Sequence, residues 1–567
     1  MIRTYRNLTL AASLLAVSAP VPAAADDFFV ATDGDDGSGD GSGANPWATI
    51  DHAVDSIGAE GGHVIIVRDG TYEGQTVVRR AFAAPVTVRA ENPYRAVLTN
   101  AAAGGEAIRV FVVGSVNLVI QGFTITNSHP SNVCSGREPF YLIHLQDASD
   151  VELSGNIIFG ANAPGTCNEL VKVNRSMNTV YGRGIVIRGN LFYDMANAGG
   201  ADMIDAVRPG EIDIVDNVFF GNPLENMSQS FITIKRQALA PADARSPRYR
   251  IARNVFMSWG GKGDQAFVQF GEDGDSVVEI DDALIENNLF IGNSAAGQAA
   301  PIQLKGAANV LVRANTIVGD LPSGAFGVRM GTEGDNPDVS GFEFRNNIWA
   351  DPTGTMTDRL INSYGRVDVG SIVLTHNLYW NAGNALPTGG SVTPADDSER
   401  VELSPMLPDD QSGLVEPRWD PAAPGFPGGE ATIREVFLAL VESFGALGDG
   451  SAAVDAADPT HMPADDIRGL ARGSAPDLGA YERGADTPAP PVDGGVPVRD
   501  GGGIPSTDSG TGGTDSGMSG ADTGTPGGDD AGGCGCRVQA GKDVRTWPVT
   551  AFFACIFVVL VQRRRRR

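Results

Sequence analysis

The chain has 567 residues and a formal net charge of −27, with 73 glycines and only 20% charged residues. Such acidity excludes nucleic acid and anionic membrane surfaces as partners for the body of the protein. The glycine content fits many tight turns rather than long solvated helices.

Residues 1–25 read as a secretory leader: Arg3 and Arg6, an apolar run from Leu8 to Val17, then Ala23-Ala24-Ala25 before Asp26. Export is therefore expected, and residues 26–485 are expected to form one all-β body.

Beyond this start, one pattern returns: alternating apolar residues, a polar residue or glycine, an asparagine, then an apolar pair. The asparagines are Asn156, Asn190, Asn217, Asn254, Asn288, Asn315, Asn347 and Asn377, 27 to 37 residues apart. Phe123 holds the same slot in an earlier copy. Period-two alternation means strands, and a long recurring period means a solenoid. Each asparagine is expected at a corner, bonding bend backbone, tolerating left-handed geometry and stacking on its copies. Their role is architectural. Cys134 and Cys167 are separated by about one repeat, so a disulfide between adjacent coils is expected in an oxidising compartment.

A second strand should lie between successive corners. With Ile143, Val171, Ile204, Ile232, Val268, Ile302, Val328 and Ile361 inward, the next residues point outward. That column reads His144, Lys172, Asp205, Thr233, Gln269, Gln303, Arg329, Asn362, flanked by Gln146, Asn174, Lys235 and Lys305. Such a stripe suits a trough for a sugar chain, although outward strand positions are polar in any soluble solenoid. Lys172 or Lys235 would be the base of a lyase, with Arg329 or a Ca²⁺ site neutralising a carboxylate. In a hydrolase, Asp205 would pair with Asp202. His144, Gln269, Gln303 and Arg329 are the expected substrate-binding residues.

Acidic turns at 272–275 and 332–335, with Asp33, Asp35, Asp36 and Asp40, are oxygen-rich enough for Ca²⁺. Turn chemistry explains them as well, and none has the ligand order of an EF-hand.

Residues 431–446 have helical spacing at Ile433, Val436, Phe437, Leu440, Val441 and Phe444, and are expected to cap the far end of the solenoid. Residues 486–533 are Gly, Asp, Ser, Thr and Pro with little to bury, a disordered linker. Cys534-Gly535-Cys536, a short apolar stretch from Trp547 to Val561 and Arg563 to Arg567 complete the chain. This tail, 534–567, resembles the MYXO-CTERM class of bacterial sorting tails. The resemblance implies processing near Cys534 or Cys536 and display at the cell surface. A permanent membrane anchor is the alternative, and either confines membrane contact to this segment.

Pro46-Trp47-Ala48-Thr49-Ile50 and Asp69-Gly70-Thr71-Tyr72, ahead of the asparagine-cornered coils, resemble the pectin-lyase-like family of right-handed parallel β-helices. So does the segment from Asp466 to Glu482. The family implies that fold, a start made of a strand around Phe28, an Asp/Gly-rich loop, a capping helix over about 47–57 and a strand ending at Tyr72, and polysaccharide or cell-envelope glycan bound on an outward sheet face. No catalytic signature of its polygalacturonases, pectate lyases or alginate lyases is complete here. Three functions stay open: a polysaccharide lyase or hydrolase, a non-catalytic adhesive module, and a structural envelope protein.

Overall fold

The computed structural model describes residues 26–489, apart from 103–105, 128–139, 162–167, 176–181, 196–201, 222–229, 238–246, 262, 293–295, 322, 357, 409–410 and 412. The leader, the linker from 490 on, the tail with Cys534 and Cys536, and both Cys134 and Cys167 lie outside the described residues. Residues 486–489, expected to open the linker, instead pair with the body, Pro488 bridging Leu470.

The body is a right-handed parallel β-helix. One strand series runs through Asn168–Asn174, Ile204–Val207, Ile232–Lys235, Val268–Phe270, Ile302–Lys305, Val328–Gly331 and Ile361–Tyr364, each paired in parallel with the next. A second includes Ile185–Arg188, Ile212–Val215, Tyr249–Ala252, Ile280–Glu286, Ala307–Arg313 and Ser340–Arg345. Among the described residues the third side is a sheet of eleven strands, from Gly70–Glu73 to Leu378–Trp380. Every coil thus turns β-branched and aromatic side chains into one continuous core.

The corner asparagines form an unbroken buried ladder. From Asn190 on, each takes two hydrogen bonds on its Oδ1 from the asparagine before it, one from that residue's backbone N–H and one from its side-chain amide. Asn156 gives both to Asn190 (2.8 and 3.1 Å), and Asn347 gives both to Asn377 (3.0 and 2.9 Å). The free Nδ2 hydrogen reaches a strand carbonyl of the coil before, as from Asn190 to Leu153 at 2.9 Å. The ladder begins at the Phe123 N–H and ends on Asp397, which only accepts. The left-handed backbone belongs to the residue before each asparagine, not to the asparagine as expected. Gly155 and Gly189 adopt it, but so do Arg253, Ala314 and His376. The ladder's bonds hold even a β-carbon in that conformation.

Inside the ladder, Phe192, Phe219, Phe256 and Phe290 stack at centroid spacings of 4.8, 5.1 and 4.9 Å. Each such pair adds about 0.5–1.5 kcal/mol beyond the area it buries.

A helix, α1 (Ile50–Ser56), packs Ile50, Ala53 and Val54 into the same core as the first strands. Thr49 caps it, and Asp36 binds the N–H groups of Ala48 (2.7 Å) and Thr49 (3.1 Å). The second helix, α2 (Ile433–Phe444), corrects an expectation. It lies on the outer flank of the eleven-stranded sheet, not across the end. Its apolar face meets the outward side chains of that sheet, including Leu191, Val218, Val255 and Leu289. Those residues leave a greasy flank, which an amphipathic helix covers better than water does. Arg253 fastens the following segment there, bonding both Asp216 (2.8 Å) and Asp465 (2.6 Å). Among the described residues no helix is long and apolar enough to cross a membrane.

Candidate functional site

The outward column assembles in the register expected, rung on rung: His144, Lys172, Asp205, Thr233, Gln269, Gln303, Arg329 and Asn362. Its environment differs from the open trough read from the sequence. Asp205 is only 2% exposed, and Thr233, Gln269 and Gln303 are sealed off completely. Polar groups this deep must be paired or they cost stability, and most here are paired.

Asp205 is the centre. Its Oδ2 takes the Lys172 ammonium at 2.5 Å and faces that of Lys235 at 3.6 Å. Lys172 also pairs with Glu169 at 3.1 Å and sits 5.3 Å from the centre of the Tyr141 ring. Lys235 is closed from its other side by an ion pair with Glu272. Asp202, three residues before Asp205, accepts a hydrogen bond on Oδ1 from the Thr233 hydroxyl at 2.9 Å. Protonated Glu169 also hydrogen-bonds the Asp205 carboxylate, while Asp205 Oδ1 accepts no N–H or hydroxyl. One rung back, His144 is held between Glu106 (2.8 Å) and Asn174 (3.0 Å).

These surroundings drive the carboxyl groups apart. Burial alone would raise Asp205, but Lys172 and Lys235 outweigh it and hold it down at about 2. Asp202 is pushed well above the carboxylate range by burial and by the charges of Glu272 and Asp205. Burial pushes Glu169 up to about 8, more than Lys172 can offset. Burial acts against both lysine ammoniums, yet Asp205 and its neighbouring carboxylates keep them charged well beyond neutral pH. Lys172 and Lys235 are therefore not poised as bases, which corrects the lyase role expected of them. Each is committed to neutralising carboxylates.

A pH dependence follows. Between the ordinary glutamate range and about pH 8, folded Glu169 keeps a proton that the unfolded chain has released. Stability is therefore fully present below that interval and falls as pH rises through it, by up to roughly 1.4 kcal/mol per pH unit. Denaturation midpoints measured at pH 5 and pH 8 should differ for the wild type, and Glu169→Gln should narrow the gap. Equal midpoints in the wild type would contradict this environment for Glu169.

The remaining expected site residues have partial roles. In one orientation of its amide, Gln303 meets the Asp264 carbonyl (3.3 Å) and Lys305 (3.2 Å). Arg329 lies over the Tyr364 ring, 4.4 Å from its centre. Gln269 bonds nothing with either end of its amide. The acidic turn at 272–275 is drawn into ion pairs: Glu272 with Lys235, and Asp273 (2.7 Å) and Asp275 (2.9 Å) with Arg236. Asp35 and Asp40 accept from backbone N–H groups of their own turns. Among the described residues no group of three or more acidic, histidine or cysteine side chains is arranged to hold a metal ion. Glu106 and Glu169 were missed from sequence, which marks Glu272 only as part of an acidic turn, not as a partner of Lys235. Glu106 and Glu272 reach the column from another coil, and only Glu169, three residues before Lys172, left a local sign.

No protein-family description matches the sequence, and no curated protein matches it. Solved structures of similar architecture include the pectate lyase Pel9A, at 15% identity and a TM-score of 0.41, covering 81% of this chain and 96% of that one. A rhamnogalacturonan lyase aligns at 13% identity and 0.42, covering 73% and 98%. An alginate lyase from Paenibacillus sp. str. FPU-7 aligns at 15% and 0.37, covering 62% and 97%. The likeness is one of fold. The chemistry of this site rests on its own residues.

Proposed function

We propose that this chain is an exported glycan-processing protein whose Asp202 and Asp205 form the acid–base pair of a glycoside hydrolase. The observation that carries the reading is the clamp on Asp205. Two lysines from neighbouring coils hold one of its oxygens, the other accepts no N–H or hydroxyl, and Asp202 is close enough for the Asp205 charge to raise it. Asp202, protonated, would give its proton to the glycosidic oxygen as the bond from anomeric carbon to oxygen breaks. Asp205, ionised, would take a proton through Oδ1 from the water that attacks the anomeric carbon. The products are a new reducing end and a released hydroxyl. Lys172 and Lys235 act by holding Asp205 ionised. Elimination with a lysine as base is disfavoured, because it needs the neutral amine and both lysines stay charged.

The leader-like start and the sorting-like tail support display at the cell surface as part of this proposal. One observation favours the non-catalytic alternative, an adhesive or structural envelope protein: the face is closed from solvent and largely saturated with its own ion pairs.

The test is release of reducing ends from a panel of neutral and uronate polysaccharides by the purified chain. Asp205→Asn should lower the rate by about 10²–10⁴-fold, the usual worth of a positioned acid–base group. Retention of polysaccharide without new ends would favour the adhesive reading, and unsaturated ends would mark elimination instead.

A further inference from the structure

Gln269 is the anomaly of the column. It projects outward between inward-facing Val268 and Phe270, is completely buried, and leaves both Oε1 and Nε2 without a partner. Gln298 has the same double vacancy at 2% exposure. A buried donor or acceptor left unbonded costs stability, so two amides with neither end bonded are poor structural choices. A leucine or methionine would fill either place at less cost.

The position of Gln269 is specific. It pairs in register with Thr233 on one side and Gln303 on the other, and Thr233 is the residue that holds Asp202. The stretch beside the acid pair thus passes from charged to neutral hydrogen-bonding groups. The nearest cations are committed: Lys172 and Lys235 to the Asp205 cluster, Arg236 to Asp273 and Asp275, and Lys305 to Glu333 at 3.1 Å. Arg329, one rung beyond Gln303, lies over the Tyr364 ring and is a single charge at the end of the stretch. Little there is left to neutralise a carboxylate on every sugar, and a net charge of −27 repels a polyanion. An amide offers one donor and one acceptor on one plane, which matches a pair of adjacent sugar hydroxyls.

We propose that the stretch around Gln269 is a subsite for a neutral, hydroxyl-rich sugar chain, bound through the Gln269 amide. The proposal rests on reading this face as the glycan site and narrows the substrate from polysaccharide in general to uncharged glycans. Since Gln269 is closed from solvent in this conformation, association is slow relative to a preformed open groove.

The experiment is calorimetric titration of the full chain with neutral hexasaccharides of the cello-, xylo- and manno- series, and with oligogalacturonate and oligoguluronate. Cleavage is followed in the same samples. A neutral ligand should bind at least about tenfold more tightly than either oligouronate, and Gln269→Leu should weaken it by about tenfold or more. The thermal midpoint of Gln269→Leu should not fall, because an unbonded amide is being removed. That control separates lost binding from lost folding. Equal or tighter binding of an oligouronate would overturn the subsite. So would neutral binding that Gln269→Leu leaves unchanged, the result expected if the amide merely holds a buried water, and so would no binding of either class. A neutral glycan bound through Gln269 but never cleaved would sink the hydrolase reading and leave the subsite standing. Cleavage of a uronate chain alone would do the reverse.

Discussion

Asn254→Ala is expected to lower stability by ~3–5 kcal/mol, among the largest effects a single substitution produces. Its Oδ1 accepts from the backbone N–H and side-chain amide of Asn217, both at 3.0 Å. Its Nδ2 donates to the Ile214 carbonyl (2.9 Å) and to Asn288 (3.0 Å). Alanine leaves these groups buried and unbonded in the middle of the ladder, where no water replaces the amide. Asn254→Asp is no remedy at neutral pH. It restores the acceptors but turns an anion toward the Ile214 carbonyl and Asn288 Oδ1. An aspartate works at Asp397 because the ladder ends there, and nothing beyond requires a donor. Equilibrium denaturation followed by tryptophan fluorescence measures the difference. A loss below about 1 kcal/mol would mean the ladder is not what sets the corners.

Lys172→Met should cost a similar amount, for a different reason. The ammonium neutralises Asp205 at 2.5 Å in a place closed from water. Removing one partner of a buried pair leaves an uncompensated charge, typically at ~3–5 kcal/mol. Lys235 remains, but at 3.6 Å and shared with Glu272 it only partly compensates. The double variant Lys172→Met/Asp205→Asn removes the charge as well as its partner. It should be more stable than Lys172→Met alone. A double variant that loses the sum of the two single losses would show that the groups do not act as a pair.

Much of this architecture was legible because the solenoid writes its geometry locally. The asparagine spacing located every corner from Asn156 to Asn377, and two-residue alternation predicted the rungs from His144 to Asn362 in register. What escaped the sequence is what reaches across coils. An outward polar residue on a strand normally faces water, so nothing at Lys172 or Gln269 announced a sealed face. Glu106 and Glu272 reach His144 and Lys235 from sequence distances of 38 and 37 residues. The helix at Ile433–Phe444 carried a clear apolar stripe, but a stripe says that a face is buried and not against what. The left-handed corner residues were hidden too, since Arg253 and His376 carry no signal for that conformation.

The most direct measurement of the central claim is the rate of reducing-end release from neutral polysaccharide as a function of pH, for the wild type and for Asp202→Asn. With Asp202 as the acid, wild-type activity persists to neutral pH and declines at alkaline pH as that carboxyl loses its proton. Asp202→Asn should be at least about a hundredfold slower at the wild-type optimum. A wild type that releases no ends from any polysaccharide, or an Asp202→Asn chain that keeps both the rate and its alkaline decline, would contradict the account.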